Sequence, residues 1–351
     1  MLCRSDDYFV HQNIDTVGRV ANSDTRFTDR LVFYVHDKPG DVLLMLGLGA
    51  WPNIATMDGY CIVVKNGIQH NMRFSRVLEN DRDIMVCGPL ELEILEPQRR
   101  WRLRMKENVH GIAFDLEFVA RSEPFLHTPI HIREQNYSIW NQMHYQQSGR
   151  CTGWISVDGE RQDIKNWWGV RDRSWGVRGA WHNGPPRETV WGDMKVAWMT
   201  AQFDDCALQN WCFKDFKYNR VLHVDGNILS DDGSKSDPFV DWSYTIKETN
   251  EYGSATVVDN VLTSASGTEH LLRAEEVHTY YIAGILFDDG DFYGKWRGAV
   301  LEGNRWDLRD RSVIEAIKKM GPYGTETLAR YTLDNERHGY GIYESSGIYG
   351  Q

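Results

Sequence analysis

Apolar and polar residues alternate along many short segments of the chain, a pattern that predicts β-strands. The alternation is clearest in residues 90–95, 101–105 and 111–119, each of which presents one apolar face. Further segments combine a short apolar run with flanking turn residues: 30–35, 41–49, 59–64, 153–160, 191–203, 220–224, 241–246, 255–258, 280–287 and 293–301. Short strands about every ten residues are typical of β-sandwiches and β-barrels.

One segment has a helical pattern instead. In residues 310–320, Val313, Ile314 and Ile317 recur at helical spacing, and Gly321 follows as a stop signal. We therefore predict one short helix in the C-terminal region of an otherwise all-β protein.

A connection between two β domains is predicted near the first third of the chain. Pro124 and Pro129 interrupt regular structure within residues 121–141, and the β pattern resumes afterwards. We place the domains at residues 1–135 and 136–351.

The acidic net charge argues against nucleic acid as a binding partner. The chain has 351 residues and a formal net charge of -11, whereas binding to phosphate groups requires a basic field. The arginines within residues 99–104 alternate with apolar residues, as in a strand with one polar face. We therefore expect no nucleic-acid partner.

The cysteines and the hydropathy of the chain indicate the cellular compartment in which the protein is expected. The six cysteines form no C-x-x-C pair, and the residues around Cys3 lack the apolar segment of a signal peptide. Free thiols in a reducing cytoplasm are the simplest account of these cysteines. No apolar run reaches the length of about 18 residues that a membrane helix needs, so we expect a cytoplasmic protein without a membrane span.

The most unusual stretch is residues 166–179, which place three tryptophans, three arginines and one carboxylate, Asp172, between glycines. Exposed tryptophans would leave a large apolar area in water, and an unpaired charge is costly to bury. The combination suits a polar cluster in an aromatic-walled cavity. A structural ion pair between Asp172 and a neighbouring arginine explains it equally well. Gly169 and Gly176 fit a bulge or the close approach of a ligand.

Strand geometry separates the side chains of this stretch. Asp172 and Ser174 would point to one face, and Arg171 and Arg173 to the other. In a dry cavity, desolvation would raise the pKa of Asp172 and let it act as a general acid. Facing an arginine, it would remain ionised and structural, and the sequence leaves both alternatives open.

A second candidate group lies at the start of the second β region. His144 titrates near neutral pH and Tyr145 can donate a hydrogen bond, so the two residues could act as an acid and its orienting group. His144 could equally be an ordinary satisfied polar residue. His127 and His131 are four residues apart, but Pro129 between them argues against a helical metal site.

A third stretch could form a wall of the cavity. Trp198, Thr200 and Gln202 share one strand face, although core packing also explains Trp198. The sequence lacks a glycine-rich phosphate loop, a G-x-S-x-G nucleophile motif and an H-E-x-x-H metal motif. These absences disfavour nucleotide cofactors and serine-hydrolase chemistry.

Several of these residues together resemble a known superfamily. Tyr145, the glycines Gly149, Gly153 and Gly159, and residues 169–176 are similar to the AttH-like and carotenoid 1,2-hydratase (hydroxyneurosporene synthase) proteins. Three stretches of the first half resemble an uncharacterised bacterial branch: 47–53, 58–60 and 88–90.

The resemblance implies two lipocalin-like β domains with an apolar cavity, and cofactor-free acid catalysis on hydrophobic molecules. It makes Asp172 the acid, with His144 and Tyr145 as helpers. The chain departs from the pattern in lacking an aromatic residue two positions before the aspartate and in adding Arg171 and Arg173. Two added arginines suggest a substrate with a carboxylate or phenolate.

We therefore predict a cofactor-independent lyase, hydratase or isomerase that acts on a hydrophobic aromatic or terpenoid small molecule. The alternatives are a non-catalytic carrier of such a molecule and a lyase that removes a small carbon unit from a lignin-like aromatic dimer. The predicted catalytic residues are Asp172, His144, Tyr145 and Arg171. The predicted substrate-binding residues are Trp168, Arg173, Ser174, Trp175, Trp198 and Gln202. No metal ligand is predicted, and a homodimer is left open.

Overall fold

The computed structural model describes residues 4–38, 40–134, 137–178, 194–215, 220–320 and 324–346. It is an all-β protein, with 64% of residues in strands and 6% in helices. The predicted fold class is thereby confirmed, including the short helix, α1, which spans Arg311–Lys319. Its N-cap is Asp310, whose side chain accepts from the Ser312 amide.

The first twelve strands are β1 Phe27–His36, β2 Val42–Trp51, β3 Thr56–Lys65, β4 Ile68–Val77, β5 Val86–Cys87, β6 Leu90–Glu96, β7 Arg100–Met105, β8 Ile112–Ala120, β9 Phe125–Leu126, β10 Ile130–Glu134, β11 Tyr137–Val157 and β12 Glu160–Arg178. The others are β13 Met194–Gln202, β14 Cys206–Asp215, β15 Arg220–Ser230, β16 Ser236–Thr249, β17 Ala255–Ser264, β18 Glu269–Tyr281, β19 Val300–Asp307, β20 Thr325–Leu333 and β21 Arg337–Ser346. Short 3₁₀ segments occupy Arg4–Asp7, Pro52–Ile54 and Ile282–Ile285.

These strands form two antiparallel sheets. The first is a curled half-barrel in the order β19-β4-β3-β2-β1-β12-β11-β8-β7-β6-β5, to which β9 and β10 add by pairing with β11. The second is a closed eight-stranded barrel in the order β13-β14-β15-β16-β17-β18-β20-β21. Closure removes the exposed edges of the second sheet.

The central strands of the half-barrel are buried on both faces. On β1, Leu31, Phe33 and Val35 pack inside the curl, whereas Val32 and Tyr34 pack towards the barrel. Two covered faces explain why β1 and β2 are almost continuous apolar runs rather than alternating ones. The core between the two sheets is therefore separate from the core inside either sheet.

The outer strands of the half-barrel keep the predicted alternation. On β7, Trp101 and Leu103 are buried, and the arginines between them point outwards. Arg102 pairs across to Asp115 on β8 at 2.7 Å. The basic cluster is therefore the polar face of a strand, as predicted.

The chain links the two sheets by crossing between them repeatedly. After β18 it leaves the barrel, adds β19 beside β4, and returns through α1 to β20 and β21. The Gln69 side chain holds this crossing, since it donates to the Tyr281 carbonyl and accepts from the Tyr281 amide, both at 2.9 Å. Residues 135 and 136, where the domain boundary was predicted, lie outside the described residues, and the strands on both sides of them, β9 to β12, belong to the first sheet.

Two of the predicted strands were wrong. The segment 280–287 is extended only to Tyr281 and then forms a 3₁₀ turn, and most of 293–301 is irregular until β19 begins at Val300. Both segments belong to the crossing, where apolar residues cover the gap between the sheets instead of pairing. Ile285 and Phe292, for example, pack into the core between the two sheets.

Two further observations concern the cysteines and the membrane. Cys61, Cys87, Cys151, Cys206 and Cys212 are buried free thiols. Within the described ranges, no helix has the length and apolar character needed to cross a membrane.

Candidate active site

A cavity of about 340 Å³ lies between the half-barrel and the outer face of the barrel. Strands β1, β3, β11 and β12 provide one wall, which we call the sheet wall, and β13, β14, β20 and β21 provide the other, the barrel wall. Trp140, Trp198, Trp211 and Phe213 make much of its lining aromatic. A small number of polar groups reach into it, an arrangement typical of ligand sites.

Asp172 and His144 meet at the sheet wall. Alternation along β12 turns Asp172 and Ser174 towards the cavity, and β11 runs antiparallel beside it with His144 opposite Ser174. His144 Nε2 lies 2.6 Å from Asp172 Oδ2. The structure thus brings together three of the predicted site residues, and Trp198 joins them from β13.

The partner of Asp172 is a histidine rather than an arginine. Burial raises the pKa of Asp172, but the charge and the hydrogen bond of His144 outweigh burial and lower it. Asp172 is therefore a carboxylate near neutral pH, whereas the predicted acid role requires it to hold a proton. The side chain of His144 is 3% exposed and that of Asp172 is 16% exposed, so the carboxylate is the more accessible member of the pair.

A second layer of aromatic rings supports His144. The ring of His127 stacks on it with centroids 4.7 Å apart, and Trp211 packs edge-on at 4.4 Å. Burial lowers the pKa of His127 to about 4, against the opposing effect of nearby Asp225. His127 therefore stays neutral near pH 7 and positions the imidazole of His144 without adding charge.

The barrel wall carries two glutamates, of which Glu326 is buried and Glu344 is half-buried. Glu326 on β20 and Glu344 on β21 are directly opposite each other in the antiparallel register. The Tyr34 hydroxyl donates to Glu326 at 3.0 Å, and the Tyr280 hydroxyl donates to its other carboxyl oxygen. The Glu344 carboxyl lines the cavity beside them.

The surroundings of these glutamates favour their protonated forms. Burial raises the pKa of Glu344 to about 7, and the charge of Arg30 partly opposes this rise. Burial and the neighbouring Glu344 raise the pKa of Glu326 well above its usual value. At neutral pH the barrel wall therefore holds at least one carboxyl proton within the cavity that contains the ionised Asp172.

A third polar group surrounds Arg30 on β1. Its guanidinium donates to the hydroxyls of Tyr293 at 3.0 Å and Tyr60 at 3.1 Å, and it lies 4.9 Å from the centre of the Tyr293 ring. The two tyrosine rings stack with centroids 6.0 Å apart. All three residues line the cavity.

Other predicted site residues lie outside the cavity, on the far face of β11 and β12. Arg171 is buried between the rings of Trp101 and Tyr145, at 5.2 and 5.1 Å, and donates to Gln147 at 2.6 Å. Arg173 forms an ion pair with Asp29.

Trp175, Trp168 and Gln202 also lie away from the cavity. The Trp175 ring packs against Tyr145. Trp168 lies nearer the start of β12 than Asp172 does, and the Arg150 guanidinium covers its ring at 4.6 Å. The Gln202 amide donates to the Gly169 carbonyl at 2.9 Å.

The two glycines that flank the central run allow close contact between strands. Gly176 has φ +126°, and a Cβ there would lie 2.4 Å from the Asn141 carbonyl oxygen. A Cβ on Gly169 would lie 2.9 Å from the Cys151 sulfur. Atoms of the protein itself therefore occupy the space next to both glycines. The β11–β12 register runs without a bulge from Trp140 to Cys151.

Sequence analysis missed Arg30, Glu326 and Glu344. A signal was present, since Glu326 shares a strand face with Leu328 and Glu344 shares one with Ile342, and both aliphatic residues are buried. A carboxyl group in line with buried aliphatic residues is unusual and points to a special environment. What could not be predicted is that these strands face β12 across a cavity.

The described part of the chain offers no ready metal centre. Its His, Cys, Asp and Glu side chains form no group of three or more that could hold an ion. His131 is exposed on β10, apart from His127 and His144, and accepts a hydrogen bond from Arg133.

Comparison with solved structures finds relatives of the whole fold. Kievitone hydratase from Nectria haematococca superposes with a TM-score of 0.50 and 12% sequence identity, over 95% of this chain and 93% of that one. CghA, with and without Sch210972, gives a TM-score of 0.52 and 9% identity over 93% of this chain and 90% of that one. At such low identities these superpositions show similarity of fold alone.

Sequence comparison assigns the chain to one protein family. No curated protein matches the chain. The model of a family of unknown function, DUF8625, matches residues 2–346, and the chain therefore belongs to that family.

Proposed function

We propose that this protein is a cofactor-independent enzyme of the hydratase type, which adds water to or removes it from a hydrophobic aromatic or terpenoid molecule. One observation carries the proposal. Two carboxyl groups, Asp172 and Glu344, line one aromatic cavity, and their surroundings move their pKa values in opposite directions. Such a divergence is how enzymes assign one carboxyl group as a base and another as an acid.

The roles follow from the protonation states. Glu344 is the proton donor, since burial leaves it protonated up to about pH 7. Asp172 and His144 act as one unit that accepts a proton from water or from a substrate carbon. His127 positions the ring of His144, and the aromatic walls hold the substrate.

This arrangement favours catalysis over simple carriage of a ligand. Burying an ionised carboxylate costs free energy, and a carrier of apolar molecules gains nothing from that charge. The fold similarity to kievitone hydratase agrees with hydratase chemistry but does not define a substrate.

Isotope labelling tests the proposal and can reveal the substrate at the same time. The protein is incubated with pooled hydrophobic metabolites in water enriched in heavy oxygen, and products are analysed by mass spectrometry. We expect at least one compound to gain one labelled water, or a hydrated compound to lose one. Glu344→Gln, which keeps the shape of the side chain but removes its acidic proton, should abolish the change. A labelled product formed equally by both proteins would refute the acid role, and ligand binding without any product would favour a carrier.

A further inference from the structure

Arg30, Tyr60 and Tyr293 form a polar group in the cavity lining, and the charge of Asp172 acts on Arg30 only from beyond ion-pair distance. Arg30 is 9% exposed, yet the described residues provide no carboxylate within ion-pair distance of its guanidinium. Its hydrogen-bond partners are two neutral hydroxyls. A buried cation normally has an anionic partner, because burying an unpaired charge is costly.

Both tyrosines have donor capacity left for a ligand. Each hydroxyl accepts a hydrogen bond from Arg30, and no described residue accepts from either hydroxyl. A tyrosine hydroxyl is also a donor, so each can give its own proton to a further oxygen. Three donor groups thus line one side of the cavity. The two hydroxyl protons have no acceptor among the described residues.

We propose that Arg30, Tyr60 and Tyr293 form an oxyanion subsite that binds the ketone oxygen of an aromatic α,β-unsaturated ketone. This inference rests on the proposed function and names its substrate class. The donors match a carbonyl oxygen that gains negative charge during reaction, the kind of charge that preorganised donors stabilise best in a water-poor site. The aromatic walls accommodate the flat conjugated system.

The permanent charge of Arg30 also selects between two routes of hydration. Protonating an isolated alkene creates a carbocation, which a buried guanidinium in the same cavity would destabilise. Attack of water on a conjugated ketone creates an enolate, which the guanidinium stabilises. A second guanidinium in the lining, that of Arg178, acts in the same direction.

The groups that line this cavity can supply and accept every proton that the enolate route requires. The oxygen of water bonds to the β-carbon while the Asp172–His144 pair takes one of its protons. The π electrons move to the ketone oxygen, which the oxyanion subsite holds. Glu344 then gives its proton to the α-carbon, and the proton on the Asp172–His144 pair returns to Glu344 through water. The net change is the addition of one water molecule.

Binding of 4-nitrophenol tests the subsite independently of turnover, because its phenolate resembles an enolate and is seen directly by its absorbance. We expect the wild-type protein to bind the phenolate and to lower the apparent pKa of the probe. Arg30→Met should weaken phenolate binding about 10- to 100-fold, the range for hydrogen bonds to a charged group. Arg330→Met, which removes an exposed arginine from β20, is the matched control and should bind as the wild type does.

Arg30→Lys keeps the test valid if Arg30→Met does not fold, since it retains the charge and should retain part of the pKa shift of the probe. Equal phenolate affinity in wild type and in an Arg30 variant, or binding only of the neutral phenol by wild type, would overturn the subsite. Glu344→Gln separates the two proposals. If it abolishes hydration while Arg30 variants bind phenolate normally, the proposed function stands and the subsite fails. If it stays active while the phenolate shift depends on Arg30, the subsite stands and the acid role fails.

Discussion

The two walls of the cavity use the same chemical group in opposite states. On the sheet wall, Asp172 lies beside a histidine that can carry a positive charge, and its pKa falls. On the barrel wall, burial raises the pKa of Glu344, and the negative charge of Asp172 acts in the same direction. Both side chains face one aromatic space, so burial acts on both. The charged groups around each carboxyl therefore decide the outcome: they outweigh burial at Asp172, whereas burial outweighs them at Glu344.

The comparison implies that substitutions in the two walls have different consequences for the neighbouring side chains. Removing the charge of Asp172 leaves a histidine that can release its own proton, whereas an arginine partner would remain charged. Removing the acidic proton of Glu344 leaves an amide beside a carboxyl group that is already neutral. Asp172→Asn also removes a negative charge that acts on buried Arg30, so unfolding measurements must accompany it, whereas Glu344→Gln strands no charge.

The largest expected effect is on turnover. Asp172→Asn and Glu344→Gln should each lower kcat by about 10²–10⁴-fold, the usual contribution of a general acid or base, with little change in ligand affinity. Steady-state kinetics on the substrate found by isotope labelling, with ligand titration in parallel, measures both quantities. The double variant should lose much less than the product of the two effects, because each group needs the other.

Thermal and urea unfolding of the same variants provides the control. Asp172→Asn should cost only about 1 kcal/mol, since an amide can still hydrogen-bond with neutral His144. A loss of about 3–5 kcal/mol, with binding reduced in proportion, would show that the Asp172–His144 pair is structural. A stable and fully active Asp172→Asn would remove Asp172 from the mechanism and direct attention to His144.

The next effect, up to about 3 kcal/mol, is on the pH dependence of stability. The pKa of Glu344 is about 7 in the folded protein and close to 4.5 when unfolded. Between these values the folded state binds more protons, so the free energy of unfolding falls as pH rises and levels off above about pH 7. Glu344→Gln should reduce this slope in urea titrations between about pH 5 and pH 8, and the remainder should come from Glu326 and Asp58, whose pKa values burial also raises.

Asp172 gives the opposite sign and a different pH window. Its pKa is lowered on folding, so its contribution is present above its unfolded value near 3.8 and is lost as pH falls below it. Above about pH 5 Asp172→Asn should weaken the slope less than Glu344→Gln does, because it removes only the part of the raised pKa of Glu344 that comes from the charge of Asp172. If Glu344→Gln instead kept the wild-type slope across that range, the barrel wall would not be the group that titrates there.

The sequence predicted the sheet wall better than the barrel wall, for a physical reason. Side chains on a strand alternate, so the common face of Asp172 and Ser174 followed from β12 alone. His144 was proposed from its chemistry and from the resemblance, and its contact with Asp172 arises because β11 and β12 are adjacent in sequence and pair as a hairpin. Glu326 and Glu344 lie more than 150 residues further along, and their approach to β12 depends on how a closed barrel packs on a curled sheet. Local patterns carry no information about that packing.

The smallest effect concerns the hydrogen bond that joins the two walls. The Tyr34 hydroxyl on β1 donates to Glu326 on β20 at 3.0 Å, while Tyr280 from β18 donates to the other oxygen of the same carboxyl. Tyr34→Phe removes one donor and leaves the second, so we expect a loss of about 1 kcal/mol in the free energy of unfolding. The Tyr34 bond favours the ionised form of Glu326, so its removal should raise that pKa further and keep the barrel wall protonated to higher pH.

Tyr34→Phe should keep the wild-type pH range of activity, because the proposed proton donor is Glu344 and Glu326 is already protonated near pH 7. Tyr280→Phe is the matched variant, because it removes the other donor from within the barrel without affecting the link between the walls. Urea unfolding and pH–rate profiles of the two variants measure both consequences. A Tyr34→Phe profile that shifts markedly in either direction would contradict the assignment, since it would mean that Glu326 rather than Glu344 sets the pH range of activity.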